Sequence, residues 1–161
     1  MRAGRQNNRR ADARAHGSIC PLNPMQLRYL TANDWALLRS KSKRVTYKPR
    51  EIVIAINSRP TSMFMLVSGI AVVEVVRGTP VAKLTAGEIF GEMAFIENAA
   101  ASASVVAETE MVVDVLDLGV LGELFSNFPH LEARFFKSLA LLLSQRLRST
   151  LSRMSKPVAS T

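Results

Sequence analysis

Cysteine is almost absent from this chain of 161 residues: the single Cys20 excludes an internal disulfide and fits a reducing compartment. Histidine is nearly as scarce. His16 and His130 are the only two, and with Cys20 they give none of the ligand spacings that a metal site needs, so no metal is expected. No apolar run approaches the ~20 residues that cross a bilayer. The densest, Leu139 to Leu143, is far shorter, and no membrane span is expected. No apolar core follows the arginines near the N-terminus, so a secretory signal is not expected either, and the cytoplasm is the expected location. Two phosphate- and acyl-transfer signatures are missing, the Gly-x-Ser-x-Gly turn and the Gly-x-x-x-x-Gly-Lys loop. Glu108 and Glu110, two apart, would share one side of a strand, which describes a solvated edge better than an acid–base pair. The expectation is a protein that is not an enzyme.

Acidic residues are missing from one region only. Residues 134–161 contain six Lys/Arg and no Asp or Glu, and residues 1–20 contain five Arg against one Asp. The body between them, 21–133, holds ten basic and twelve acidic residues. The net charge of +8 therefore comes from an arm and a last helix, not from a basic body, and nucleic acid is not the expected partner.

What is present divides the chain into three parts. Residues 1–20 form a basic arm without apolar periodicity, expected to be disordered. An Arg-rich, acid-poor start of this kind also fits a transit peptide, or a true start at Met25. Residues 21–155 form one domain, large enough for a substantial core, and 156–161 a tail. Within the domain, a short helix is expected near Pro24–Leu30. A second begins at Thr31, where Thr31 and Asp34 form a capping box with Asp in place of Glu. Trp35, Leu37 and Leu38 follow, and Arg39, Lys41, Lys43 and Arg44 close it as the helix dipole favours.

Seven short β-runs come next: Val45–Tyr47, Ile52–Ile56, Met63–Val67, Ala71–Val76, Val81–Leu84, Ser104–Ala107 and Met111–Leu116. Turn residues separate them at Lys48-Pro49, Asn57 to Pro60, Ser68-Gly69 and Arg77-Gly78. Close spacing of short strands points to a jelly roll or sandwich. After Asp117 the pattern is helical: a short helix from Leu118 to Phe125, then a long one over about 129–152, with Pro129 at its first position and Asn127 a candidate cap. Phe136, Leu139, Ala140, Leu143, Leu147 and Leu151 recur at helical spacing, with Arg134, Arg146, Arg148 and Arg153 on other faces. That stripe either packs on its own domain or pairs with a second copy.

The densest chemistry lies between Leu84 and Thr109. Gly87 and Gly91 punctuate the apolar pair Ile89-Phe90, Glu92 follows at the start of a short helical turn, and Asn98 to Ser104 carries only small side chains. A loop whose amides converge beside a helix start suits an anion. The bland alternative has Glu92 complementing a helix dipole, Ser102 bonding its own loop, and Met93, Phe95 and Ile96 in the core.

The order Phe90-Gly91-Glu92-Met93-Ala94-Phe95-Ile96, then Ser102-Ala103-Ser104-Val105, resembles the phosphate-binding cassette of the cyclic-nucleotide-binding domain family. Members include catabolite-activator-type regulators, regulatory subunits of cyclic-AMP-dependent kinases and cyclic-nucleotide-gated channels. The resemblance implies an α+β fold: a β jelly-roll barrel with short N-terminal helices and a long C-terminal helix. It implies a cyclic nucleotide, cyclic AMP or cyclic GMP, as ligand. Gly91, Glu92, Met93, Ala94, Ala101, Ser102 and Ala103 would surround it, Glu92 accepting from the ribose 2′-hydroxyl and Ser102 meeting the cyclic phosphate.

One position departs. Where the family carries the arginine that pairs with the phosphate, this chain has Ala101, so binding is expected to be weak, altered or lost. Lys83 is the substitute cation to test first, with Arg59, Arg134 or a second subunit behind it. The function expected is a stand-alone sensor module that signals to an effector protein through its terminal helix. The alternatives are a ligand-free dimerisation scaffold, and a truncated catabolite-activator-type regulator. The last would need a helix-turn-helix of several dozen residues, and ten residues follow Leu151.

Overall fold

The computed structural model describes residues 27–154. The basic arm, the tail and residues 24–26 of the expected first helix lie outside that span. In chain order the elements are α1 (Ala32–Lys41), β1 (Lys43–Tyr47), β2 (Ile52–Ile54), β3 (Ser62–Ser68), β4 (Ala71–Val76), β5 (Thr79–Leu84), β6 (Ile89–Phe90), α2 (Glu92–Glu97), β7 (Ser104–Ala107), β8 (Met111–Asp117), α3 (Leu118–Asn127) and α4 (Pro129–Met154). The strands make two antiparallel sheets of four, ordered β1-β8-β3-β6 and β2-β7-β4-β5. This is the jelly-roll type expected, as two packed sheets rather than one closed barrel.

Strand β3 shows why the layers stack as they do. Successive side chains point to opposite faces, and both faces of Met63–Val67 are buried. Phe64 and Leu66 enter the core between the sheets with Ile54, Leu84, Phe90, Val105 and Val113. Met63 and Met65 point the other way, into a core shared with Leu38 of α1, Leu121 and Phe125 of α3, and Phe135 and Leu139 of α4. The helices therefore cover one sheet, and the second sheet covers its other face.

Local signals explain the ends of several elements. Thr31 caps α1 by the expected box, Thr31 Oγ1 accepting from the Asp34 amide at 3.2 Å and Asp34 Oδ2 accepting from the Thr31 amide at 2.8 Å. Residues 27–30 of the expected first helix make a turn, with the Leu30 amide donating to the Leu27 carbonyl. Asn57 adopts φ 64 in the turn after β2, a left-handed angle that Asn tolerates.

Other expectations need correction. Lys43 and Arg44 do not close α1. The helix stops at Lys41, and Arg44 lies in β1 where it grips the buried Asp114 of β8 through two hydrogen bonds of 2.8 and 3.0 Å. Asn127 is the last residue of α3, not the cap of α4. Glu108 and Glu110 stand in the turn between β7 and β8 rather than along a strand. An eighth strand, β6, is only two residues long and pairs with Phe64 and Met65. On α4 the buried stripe is Leu131, Phe135, Ser138, Leu139 and Leu142. Most of the expected stripe is turned out: Ala140, Leu147 and Leu151 are exposed, and Phe136 is partly so.

Candidate functional site

Between β6 and β7 the chain leaves one sheet, makes the turn and helix α2, and returns to the other. Gly91 starts this excursion at φ 82, and a Cβ there would lie 3.0 Å from the Ser62 carbonyl and 3.2 Å from the Phe64 ring. Only glycine meets both demands without strain. The tight start delivers Glu92, the first residue of α2, inward, where it is 3% exposed. Asn98, at φ 47, ends the helix in a left-handed conformation and turns the chain back. Ala101 is then tied to the turn after β2 through both backbone groups: its amide donates to the Ser58 carbonyl at 2.7 Å, and its carbonyl accepts from the Asn57 amide at 2.8 Å.

A cavity of about 140 Å³ opens inside this excursion. All seven cassette residues of the sequence reading line it: Gly91, Glu92, Met93, Ala94, Ala101, Ser102 and Ala103. Its remaining walls are mainly apolar, from Ile54, Val73, Leu84, Phe90 and Val105. Phe90 stacks on Phe64 with ring centroids 5.0 Å apart, which makes the floor rigid. Ser102 is exposed at the rim and makes no side-chain hydrogen bond among the described residues. The cores expected for Met93 and Ile96 are not found, since both are about half exposed; Phe95 alone of that trio packs inward.

The residue that sequence reasoning missed is Arg146. It reaches from α4 into the cavity, Nη1 donating to Glu92 Oε1 and Nη2 to the Ile89 carbonyl, each at 2.5 Å. Burial pushes the Glu92 carboxyl above its ordinary value, and the Arg146 guanidinium pulls it part of the way back. A signal for this did exist. Leu131, Phe135, Leu139 and Leu142 step along one face, and the next residue on that face is Arg146. A second bridge joins the same two elements: Phe95 of α2 stacks on Phe136 of α4, centroids 6.1 Å apart.

The other candidate cations are elsewhere. Lys83 is held by Glu108 through contacts of 2.8 and 3.0 Å at the surface, and does not line the cavity. Arg134 is bound twice to Asp34, at 2.7 Å each. Arg59 borders a separate hollow beside Ser58 and Pro60. Among the described residues there is no cluster of His, Cys, Asp or Glu fit to hold a metal ion, and no helix long and apolar enough to cross a membrane. Chemically, the site offers a buried carboxylate to accept hydrogen bonds, a guanidinium, a free hydroxyl and apolar walls. That set suits recognition of a hydroxyl-bearing anion with an apolar face.

Comparison with known proteins identifies the family and the fold. Residues 44–128 match the family described as cyclic nucleotide-binding domain. Cyclic GMP-binding protein C of Dictyostelium discoideum is 31% identical over 124 residues, which is 74% of this chain and 5% of that protein. The chain thus spans a small fraction of that relative. A crystal structure of a cyclic nucleotide-binding domain from Methylobacillus flagellatus superposes with a TM-score of 0.73 at 21% identity, covering 85% of this chain and 84% of the other. The catabolite activator protein of Thermus thermophilus gives 0.67 at 23%, covering 81% and 61%. At these identities the two solved structures speak for the fold.

Proposed function

Since this chain belongs to the cyclic nucleotide-binding domain family, we propose that it is a non-enzymatic regulatory module that takes cyclic AMP or cyclic GMP in the cassette cavity and signals through α4. The observation that carries the proposal is the Glu92–Arg146 contact. One partner belongs to the cassette and the other to the terminal helix, and both face the same cavity. Whatever enters beside Glu92 meets α4. Occupancy of the cavity and placement of the helix are therefore linked, which is what a signalling module requires. An effector protein reading the helix, and a cytoplasmic setting, belong to the same proposal.

Affinity is lowered relative to a site with the family's arginine, because Ala101 presents a methyl group where that cation would stand. Loss of one member of a desolvated charge pair costs about 2–5 kcal/mol, or roughly 30- to several-thousand-fold in affinity. Isothermal titration with cyclic AMP and cyclic GMP tests this, with Ala101→Arg alongside. The expected result is weak binding by the unmodified protein and a gain of about tenfold or more in the variant. Silence from both proteins would overturn the nucleotide reading.

A ligand-free scaffold is the second reading. The cavity, at about 140 Å³, is smaller than the ~300 Å³ at the lower end of small-molecule pockets. The outer face of α4 also carries Leu147, Leu151 and Met154, each more than half exposed, a stripe suited to a second copy of the chain.

A further inference from the structure

Arg146 borders two spaces. On one side is the cassette cavity. On the other is a groove of about 850 Å³ between α4 and β5, to which Lys83, Arg148 and Arg153 also contribute. Val73, Leu84 and Arg146 border both, and Arg146 is the charged residue of the three. Its guanidinium has spent one N–H on Glu92 and one on the Ile89 carbonyl, which leaves further donors on the same fork. No other Lys or Arg lines the cassette cavity among the described residues. An anion buried there requires a cation, since an unpaired charge in an apolar site is strongly disfavoured.

We propose that Arg146 is the anion-binding residue of this site, supplying from α4 the positive charge that the cassette loop lacks at Ala101. The inference rests on the reading that the ligand is a cyclic nucleotide, and deepens it. Glu92 holds the fork in place while the free N–H groups face the phosphate. Burial keeps that fork ordered: the Arg146 side chain is 30% exposed and Glu92 only 4%. An arginine suits the task better than a lysine, because its planar fork serves two acceptors at once.

The test is a double-mutant cycle read by titration with cyclic AMP and cyclic GMP, on proteins shown to be folded by circular dichroism and thermal melting. Arg146→Gln in the unmodified protein is expected to weaken binding about tenfold or more. In the Ala101→Arg background, where the loop has its own cation, the same change is expected to cost about threefold or less. Should Arg146→Gln not fold, Arg146→Lys replaces it: the charge stays, the fork is lost, and a deficit confined to the Ala101 background is still expected. Equal losses in both backgrounds would mean that Arg146 acts only through the fold, and would overturn the inference. So would a gain in affinity, which would make Arg146 a plug. Binding by Ala101→Arg with none by the unmodified protein would refute the role of Arg146 and leave the nucleotide reading standing. No binding by any folded variant would remove that reading, and the inference with it.

Discussion

Replacing Asp34 by Asn tests how α4 is anchored at its base. Asp34 accepts from the Thr31 amide at 2.8 Å and takes both arms of Arg134 at 2.7 Å, so one carboxylate closes the N-terminus of α1 and clasps the first turns of α4. The hydrogen bonds from Arg134, helped by the Thr31 amide and opposed by burial, hold its carboxyl at about 2 against an ordinary 3.8. A difference of that size corresponds to about 2 kcal/mol of stability at neutral pH. Arg134 is partly open to solvent, which trims the figure to about 1–2 kcal/mol. Asn is isosteric and keeps an oxygen for the Thr31 amide, so the loss reports the charge. The sign follows from the lowered folded-state value. The contribution is fully present above the unfolded value near 4, and it is lost as pH falls through about 2. Urea denaturation of both proteins from pH 7 to pH 2 should therefore show curves separated by about 1–2 kcal/mol at neutrality that converge at the acid end. A separation independent of pH, or none at pH 7, would show that the clasp carries no electrostatic stability.

Two further changes probe the fold and the assembly. Gly69→Ala should destabilise the domain by about 2 kcal/mol or more, since φ is +90 and the new Cβ would lie 2.4 Å from the Glu110 carbonyl; an unchanged melting midpoint would refute this. Leu147→Glu should convert a dimer to a monomer in sedimentation without loss of helix by circular dichroism, because the residue is 60% exposed and faces away from the domain. A protein already monomeric, or still dimeric after the change, would remove α4 as the pairing surface.

Features set by near neighbours were legible in the sequence. The Thr31–Asp34 box spans three residues and needs no tertiary partner, and it formed as read. The strands after it were found by their bounding turns, the one from Asn57 to Pro60 among them. What could not be read depends on residues far along the chain. Ile89-Phe90 becomes a strand because Phe64 and Met65 lie beside it. Arg44 looks like a helix-closing charge until β8 brings Asp114 to it, 70 residues on. On α4 the difficulty is different. Two apolar arcs share the helix, Leu131/Phe135/Leu139/Leu142 and Ala140/Leu143/Leu147/Leu151, and periodicity detects both without saying which faces the domain. The stripe read from the sequence mixed Leu139 of the inner arc with the outer residues and left Arg146 on another face, although among the described residues it is the charge that reaches Glu92.

The position of Arg146 on the terminal helix bears on mechanism. A cassette arginine would travel with its loop, and its charge would be present wherever the terminal helix lay. Ala101 is locked to the Asn57–Ser58 turn by both of its backbone groups and brings no charge. With Arg146 as the cation, the positive charge enters the cavity only while α4 lies along the domain. The N-terminal third of the helix is fixed by Arg134 on Asp34 and by Phe136 against Phe95. Arg146 lies further along, and residues 147–154 beyond it are exposed. By linkage, whatever factor a docked helix adds to anion affinity, the anion adds to docking of that helix end. Moving the cation from loop to helix thus makes binding and helix placement two readings of a single free energy. A ligand held by Arg146 cannot leave the helix end indifferent to its presence.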